Sequence, residues 1–401
     1  MSEVVHTPQL RFPEFSGAWN THSIGKIGTF FSGGTPASSN KDYYSGTIPF
    51  IGSGKISSES VKQHITQEAL DSSSAKIVNE GDLLYALYGA TSGAVALSKI
   101  NGAINQAVLC IRTNENKFFL KTWLEKNKER ILGTYLQGGQ GNLSAQIVKS
   151  LKLNLPTKPE QQKIAAFLTV VDNKIEQLSK KQELLGEYKK GLMQQIFSQA
   201  IRFKADDGCD FPDWEEKKLG GMIDIVVDNR GKTPPVVKER NIPLIEVNAI
   251  GSKSIDYKKV SKFVTPETFK NWFRKYLNNG DILFSTVGQT AVCSIYFDSV
   301  KAAIAQNIVG LRFSSEDFKF MYYLLTERKN NHKFKRIEMG AVQPSVKVSQ
   351  MIHIDFKIPS FPEQQKIANF LSSIDNKIEQ VGKQLRESKQ FKKALLQQMF
   401  V

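Results

Sequence analysis

The chain contains PEQQKIAAFLTVVDNKIEQ from Pro159 to Gln177 and nearly the same string, PEQQKIANFLSSIDNKIEQ, from Pro362 to Gln380. The blocks PEQQKIA and DNKIEQ are identical in the two copies and are separated by the same number of residues. Chance does not plausibly place two identical blocks at one spacing, so the sequence predicts an internal duplication.

The duplication extends over most of the chain. Further pairs occur in the same order in both halves: Trp19 with Trp214, SGGTP (Ser32 to Pro36) with RGKTP (Arg230 to Pro234), GDLL (Gly81 to Leu84) with GDIL (Gly280 to Leu283), AINQAVLCIR (Ala103 to Arg112) with AIAQNIVGLR (Ala303 to Arg312), and GLMQQIF (Gly191 to Phe197) with ALLQQMF (Ala394 to Phe400). The offset drifts from 195 to 203 residues, as small loop insertions would cause. The pattern predicts a globular unit at 1–157, a helix at 158–200, a second unit at 201–359 and a second helix at 360–401.

Each globular unit is predicted to be a mixed α/β domain, which makes the chain α+β as a whole. Short β-rich runs punctuated by glycine occur in the first unit at TIPFIGSG (Thr47 to Gly54), GDLLYALYGA (Gly81 to Ala90) and INQAVLCIR (Ile104 to Arg112). Apolar spacing predicts one helix from Phe118 to Leu136, closed by a GGQG turn at Gly138 to Gly141, and one helix from Phe318 to Phe334 in the second unit. The units differ most at 37–80 against 235–279, so one scaffold carries two different surface segments.

The repeated stretch is predicted to form two long helices that begin at Pro159 and Pro362, because proline is tolerated in a first helical turn. The positions predicted to pair, mostly on a seven-residue step, are Ile164, Leu168, Val171, Ile175, Leu178, Leu185 and Leu192 in the first helix and Ile367, Leu371, Ile374, Ile378, Val381, Leu385 and Leu395 in the second, with Ile196 and Met399 following. A seven-residue apolar step favours a partner helix, and the two helices are expected to pair as an antiparallel spacer. Each would be about 38 residues, or roughly 57 Å, long.

The alternative is that two amphipathic helices simply pack within one fold. Their length argues against it, since globular helices average about 10–14 residues. The interruptions Gln182, Lys189, Ser388 and Lys392 are expected to fix the register or to accept a further protein partner.

The charge predicts a polyanionic partner. The formal net charge is +15 and the isoelectric point is near 9.4. The basic residues are spread over both units and do not form a tail, which favours a folded surface facing a phosphate backbone.

The search for catalytic motifs is negative. Asp172, Glu176, Asp375 and Glu379 lie on the predicted helices, where charged residues ordinarily form a solvated face. The five histidines show no metal-ligand spacing, and IGSGKIS at Ile51 to Ser57 lacks the first glycine and the Ser or Thr of a phosphate-binding loop. The glycine motif of a methyl-donor site and an Asn-Pro-Pro-aromatic tetrad are both missing from the sequence.

Cysteine usage and hydropathy predict a cytoplasmic protein. Cys110, Cys209 and Cys293 are scattered, and we interpret them as reduced packing residues. The sequence contains no run of about 18 apolar residues, and we expect neither a signal peptide nor a membrane span.

These residues carry a resemblance to the DNA-specificity subunit of type I restriction-modification enzymes. The shared features are the LRFP or FPDW start of each unit, the GxTP turn, the GD-apolar strand, the NQ or QN segment (Asn105 and Gln106, Gln306 and Asn307), and the proline-flanked starts of the helices. The ordered set covers nearly all 401 residues.

The resemblance implies a division of labour. Each globular unit would be a target-recognition domain reading one half of an asymmetric, bipartite duplex DNA site, and the helices would form an antiparallel coiled coil that sets the unread spacer. The chain itself would be non-catalytic and bind no cofactor. Two modification subunits would methylate adenine and motor-nuclease subunits would cleave, so S-adenosylmethionine, ATP and magnesium are expected in those partners.

Candidate base-reading residues lie in loops that follow the predicted strands, since hydrogen bonds to base edges carry sequence information. They are Tyr43, Tyr44, Ser53, Lys55, Tyr88, Thr91 and Gln106 in the first unit and Arg230, Lys232, Asn248, Gln289, Thr290 and Gln343 in the second. The GxTP turns are alternatively scaffold, because both units keep them.

Two other classes of protein remain open on the sequence. An autonomous DNA-binding regulator would use the same basic surfaces but bind tightly as the isolated chain. A structural or RNA-binding coiled-coil protein would be indifferent to duplex sequence.

Overall fold

The computed structural model describes residues 7–135, 142–229, 231–297, 300–340 and 342–401. By contacts the chain groups into two compact units, Met1–Ser179 with Lys383–Val401, and Lys180–Gly382. Each unit therefore combines a globular part with the first half of the helix that follows it and the last half of the other long helix.

The first unit is built around two four-stranded sheets. Its elements are β1 (Asn20–Ser23), β2 (Gly28–Ser32), β3 (Ile48–Ile51), β4 (His64–Ile65), α1 (Gln67–Asp71), β5 (Lys76–Val78), β6 (Leu83–Ala86), β7 (Val95–Leu97), β8 (Gly102–Ile104), β9 (Val108–Thr113), α2 (Lys117–Tyr135), α3 (Ala145–Ser150), β10 (Lys152–Leu155) and the long α4 (Lys158–Phe197). One sheet has the antiparallel order β2-β9-β6-β7, and the other has the order β4-β3-β8-β5 with β3 and β8 parallel. A two-stranded sheet joins β1 to β10.

The second unit repeats this plan. Its elements are β11 (Glu215–Lys218), α5 (Leu219–Met222), β12 (Ile225–Val227), β13 (Ile242–Ile245), β14 (Phe263–Val264), α6 (Pro266–Trp272), β15 (Ile282–Ser285), β16 (Cys293–Ile295), β17 (Ala303–Ile304), β18 (Ile308–Arg312), α7 (Phe318–Thr326), α8 (Arg328–Arg336), α9 (Val348–Met351), β19 (Asp355–Ile358) and the long α10 (Phe361–Met399). The orders β12-β18-β15-β16 and β14-β13-β17, with β13 and β17 parallel, match the first unit strand for strand apart from β5. The predicted duplication is confirmed at the level of topology.

Each unit buries the end of a long helix in its globular core. In the first unit Phe400, just after α10, packs on Phe119 and Trp19, with ring centroids 5.0 and 6.4 Å apart. In the second unit Phe197, at the end of α4, packs on Phe320 and Trp214 at 5.7 and 6.3 Å. The two cores use equivalent aromatic triads, so each globular part is completed by residues distant in sequence.

The start of each long helix is fixed by a buried carboxylate. Glu160 accepts hydrogen bonds from Arg11 (2.8 and 2.7 Å) and from the Trp19 indole (3.3 Å). Glu363 repeats the arrangement with Arg202 (3.3 and 2.9 Å) and Trp214 (3.2 Å). These bonds tie the first helical turn to the entry segment of each globular part.

Within each unit the two helical segments run antiparallel. In the first unit the Lys392 ammonium lies 2.6 Å from the Asp172 carboxylate, while Phe400 and Glu160 both contact Trp19. Residue numbers therefore rise along α4 as they fall along α10. Lys189 and Asp375 form the equivalent pair in the second unit, also at 2.6 Å.

The residues predicted to pair the helices are all buried or half-buried. Near the helix ends they join the globular cores: Ile164, Leu168 and Leu395 lie in the first and Ile367 and Leu371 in the second. The coiled-coil form itself stays a prediction.

Two sequence-based expectations about the globular parts were wrong. The predicted helix from Phe318 to Phe334 is broken at Glu327, whose extended backbone ends α7 and whose carboxylate caps α8. The Glu327 carboxylate accepts a hydrogen bond from the Asn330 amide at 2.9 Å, so Glu327 is the N-cap of α8, and an N-cap residue has a non-helical backbone conformation. The second error is Cys209, which is exposed, whereas Cys110 and Cys293 are buried packing residues as predicted.

The remaining predictions concern the bounds of three helices and the position of one turn. The predicted helix from Phe118 is confirmed as α2 over the residues described, and both long helices begin within one residue of Pro159 and Pro362. The predicted GGQG turn lies outside the described residues.

Candidate nucleic-acid interface

The GxTP turn of each unit is tied to the loop between the last two core strands. In the first unit the Thr35 hydroxyl donates to the side-chain oxygen of Gln106, and in the second Thr233 donates to Gln306 at 3.1 Å. A Cβ on Gly33 would lie 1.7 Å from the Ile104 carbonyl oxygen, so only glycine fits there. The turn thus has a structural role, while Gln106 itself is exposed.

Two further loops of the first unit meet at Gly89. A 3-10 turn at Ser53–Lys55 follows β3, with Lys55 exposed and Ser53 half-buried. The Ser53 hydroxyl lies 3.9 Å from where a Cβ on Gly89 would be, and Gly89 belongs to the turn joining β6 to β7. That turn also carries Tyr88 and Thr91, both half-buried. The structure therefore brings together Ser53, Lys55, Tyr88 and Thr91.

Tyr43 and Tyr44 have a more structural placement. Both rings pack against the small apolar cluster of β3, β4, α1 and β8. The Tyr44 hydroxyl donates to the Pro36 carbonyl at 2.7 Å, which links it to the GxTP turn. Tyr44 therefore stabilises the GxTP turn, because its ring is packed and its hydroxyl is bonded to Pro36.

Two candidate readers of the second unit, Lys232 and Asn248, lie in exposed loops. Lys232 is exposed in the GxTP turn, and Arg230 lies outside the described residues. Asn248 is exposed in the 3-10 turn Val247–Ala249, which follows β13 as Ser53–Lys55 follows β3. Its side-chain amide donates to the Lys259 carbonyl at 3.3 Å, which orients it.

The turn between β15 and β16 lies against a second turn near Gln343. The Gly288 amide donates to the Pro344 carbonyl at 2.8 Å, and Gln289 and Gln343 are both exposed. Thr290 is only 2% exposed, and its hydroxyl is bonded to the Glu338 carboxylate and the Lys335 ammonium. Thr290 therefore stabilises the turn between β15 and β16, whereas the side chains of Gln289 and Gln343 reach solvent.

Sequence reasoning missed Val342 in the same turn. This side chain is 100% exposed beside Gln343. An exposed apolar group can contact the methyl of thymine in the major groove, so Val342 joins the candidate readers. A single valine in a polar loop gives no sequence signal for such a role.

The acidic residue of the GD motif has a structural partner. Asp281 is fully buried and receives two hydrogen bonds from Arg312, at 2.7 and 2.8 Å. Asp82 also accepts two hydrogen bonds from Arg112, at 3.1 and 2.8 Å, both on Oδ2. Burial raises the pKa of the Asp82 carboxyl, but hydrogen bonds from Arg112 and the Asn79 amide outweigh it and lower the pKa overall. Asp82 and Asp281 lie just before β6 and β15, at the opposite end of each strand from the candidate reading turns.

The described ranges contain no group of three or more histidine, cysteine or acidic side chains that could hold a metal ion. Over the same part of the chain, every helix falls short of the length or apolar character that a bilayer span requires.

A family described as the type I restriction modification DNA specificity domain matches residues 17–185 and again residues 212–387. The matches cover well over half of the sequence and coincide with the repeat. The chain therefore belongs to this family.

Two relatives illustrate its range. The type I restriction enzyme MjaVIII specificity subunit of Methanocaldococcus jannaschii is 27% identical over 405 aligned residues, 96% of this chain and 92% of that protein. The type I restriction enzyme EcoR124I/EcoR124II specificity subunit of Escherichia coli is 26% identical over 174 residues, 41% of this chain and 43% of that protein.

Solved structures share the fold. The S subunit of a type I restriction-modification system from M. genitalium is similar with a TM-score of 0.64 at 17% identity, covering 98% of this chain and 99% of that one. A chain from a structure of type I restriction-modification complex assembly gives a TM-score of 0.53 at 17% identity, over 94% and 96% of the two chains.

Proposed function

We propose that the chain is the DNA-specificity subunit of a type I restriction-modification complex. It reads an asymmetric bipartite duplex site and directs adenine methylation and restriction by partner subunits. The observation that carries this is the family match repeated over two units that share a scaffold but differ in their loops.

The placement of the candidate readers supports the proposal. In the first unit the turn Ser53–Lys55 lies beside the turn joining β6 to β7, and in the second the turn between β15 and β16 lies beside the turn that carries Gln343. Polar groups at such turns can reach base edges, and surrounding Lys and Arg can hold phosphates. Different side chains in the two units, such as Lys55 and Asn248, would read different half-sites.

The proposal assigns the chemistry to other chains. Two modification subunits would bind S-adenosylmethionine, and motor-nuclease subunits would bind ATP and magnesium, while this chain is non-catalytic. Its location with chromosomal DNA in the cytoplasm is part of the same proposal.

The test mixes the chain with the modification subunit encoded beside it and measures methyl transfer to adenine in duplex DNA. We expect transfer only with all components and only at a split sequence. Transfer that ignores sequence, or failure to assemble, would refute the proposal. Tight, specific binding by the isolated chain with no assembly would identify an autonomous regulator instead.

A further inference from the structure

A groove in the second unit lies between the C-terminal half of α4 and the elbow where α7 meets α8. It has a volume of about 890 Å³. Its lining includes Lys189, Lys190, Arg328, Lys329, Lys333 and Arg336, against the single acidic residue Glu327. The groove is thus strongly basic.

Three of these charges already serve the fold. Lys189 pairs with Asp375 at 2.6 Å, and Lys333 donates to the Asp355 carbonyl at 2.6 Å. The buried Glu327 carboxylate accepts a 2.9 Å bond from a backbone amide in the first turn of α8. Glu327 is therefore occupied as a helix cap.

The other four cations are uncompensated. Lys190, Arg328, Lys329 and Arg336 are exposed, and within the described ranges none of them forms an ion pair. Arg328 and Arg336 are eight residues apart on α8, about 12 Å along its axis. Four cations without a partner along one groove suit a polymer with repeated anions.

α8 also abuts a candidate reading turn. The Asn331 side chain donates to the Ala291 carbonyl at 2.7 Å, and the Lys335 ammonium donates to the Thr290 hydroxyl at 2.7 Å. α8, which carries three of the four groove cations, therefore packs against the turn that carries Gln289. This continuity favours nucleic acid over an acidic protein segment as the occupant.

The first unit has no corresponding break over its described residues, because α2 is one helix from Lys117 to Tyr135. Its buried residues Leu124 and Ile131 are seven apart, two helical turns, so α2 continues without a break. In the second unit the helix is interrupted at Glu327, which caps α8, and the first residues of α8, Arg328 and Lys329, are exposed.

We propose that the basic groove binds the phosphate backbone of DNA beside the half-site read by the second unit, and that the first unit lacks an equivalent contact. The inference rests on the proposed function and adds a one-sided, sequence-independent anchor to it.

The experiment uses the complex of this chain with its modification subunits and a duplex that contains the recognition site. Binding constants are measured against salt for wild type and for the variant with Lys190, Arg328, Lys329 and Arg336 replaced by alanine. Each phosphate contact contributes about 0.9 to the slope of log K against log salt. We expect the slope to fall in magnitude by about three to four, with the preference between sequences unchanged.

The control variant replaces four exposed cations of the first unit by alanine, and its slope should stay within about one of wild type. They lie on α2, α4 and α10 and are Arg130, Lys174, Lys389 and Lys393. A second measurement shortens the duplex beyond the second half-site. This should weaken wild type and leave the groove variant unaffected.

Several outcomes would overturn the inference. They are an unchanged slope, an equal loss in the control, or a groove variant that binds DNA normally but no longer assembles with the modification subunits. The last result would assign the groove to an acidic protein surface. Failure of wild type to bind any specific sequence would instead refute the proposed function.

Discussion

At the scale of single residues, the most consequential side chains are the two buried glutamates at the helix starts. Glu363 is 0% exposed and holds Arg202 and Trp214 together. Replacing Glu363 by Gln removes the charge and leaves Arg202 poorly paired. We expect the free energy of unfolding to fall by about 2–3 kcal/mol in a denaturant titration.

The matched control is Asp210→Asn. Asp210 pairs with Lys204 at 3.6 Å, and both side chains are exposed. Exposed pairs contribute little, so this variant should unfold as wild type does. Equal losses in both variants would contradict the structural role of Glu363.

The cysteines give a chemical test of burial. Burial raises the pKa of the Cys110 thiol to about 12 and raises that of Cys293 further, while Cys209 is exposed. Thiolates are the reactive form, so iodoacetamide should alkylate Cys209 alone in the folded protein at pH 8. Mass spectrometry should find Cys110 and Cys293 labelled only after denaturation; early labelling of either would contradict the packing.

Asp82 predicts a defined pH dependence. Its pKa is lowered in the folded state, so its stabilising contribution is complete above the ordinary value of 3.8 and is lost as pH falls through the folded value. Asp82→Asn should therefore have a lower free energy of unfolding than wild type at pH 7. The difference between the two free energies should become smaller below pH 4. Unfolding curves at several pH values measure it, and a difference that widens in acid would contradict the assignment.

Residue roles were only partly predictable from the sequence. The repeat singled out Glu160 and Glu363, but a glutamate in a first helical turn looks solvated until its arginine and tryptophan are placed in space. Asp172 and Asp375 were assigned to a solvated face, which was wrong. They are paired with Lys392 and Lys189.

At the scale of elements, the apolar seam of α4 is testable. Leu178 is 5% exposed and Val171 packs on the first core. Replacing both by Asp would bury charge without a partner, so we expect a loss of about 3 kcal/mol of stability and weaker recovery of the modification subunit in a pull-down.

Val170→Asp is the control for this change. Val170 lies on the same helix turn but is 67% exposed. Its substitution should leave the unfolding curve unchanged. If the seam variant behaves like this control, the apolar face of α4 does not stabilise the fold.

Elements were predictable where one periodicity decided them. Pro159, Pro362 and the seven-residue step located α4 and α10, because apolar spacing alone sets that pattern. The break between α7 and α8 was not predictable from apolar spacing, because it lies at the N-cap residue Glu327. Glutamate is not among the residue types preferred at an N-cap.

At the scale of the whole molecule, the variable segments should act independently. Residues 37–80 belong to the first unit and 235–279 to the second. Replacing 37–80 by the corresponding segment of a relative should change one half-site and leave the other unchanged. Sequencing of methylated genomic DNA from cells carrying the chimera measures this; a change in both half-sites would contradict independent reading.

The duplication, the α+β class and the family resemblance could be predicted because identical blocks recur along the chain. The candidate interface was less predictable. Gln289 and Gln343 come together only through the bond between Gly288 and Pro344, which links positions more than fifty residues apart. No pattern in the local sequence predicts the contact between these two turns.

The completion of the first core by Phe400 has a consequence for biosynthesis. Trp19 and Phe119 leave the ribosome before Phe400, which is added 281 residues after Phe119. At about 5–20 residues per second, the nascent first unit waits on the order of 10–60 s for its final aromatic ring. The globular part made first is thus completed only after the second globular part has been synthesised, so its aromatic core stays incomplete during that interval.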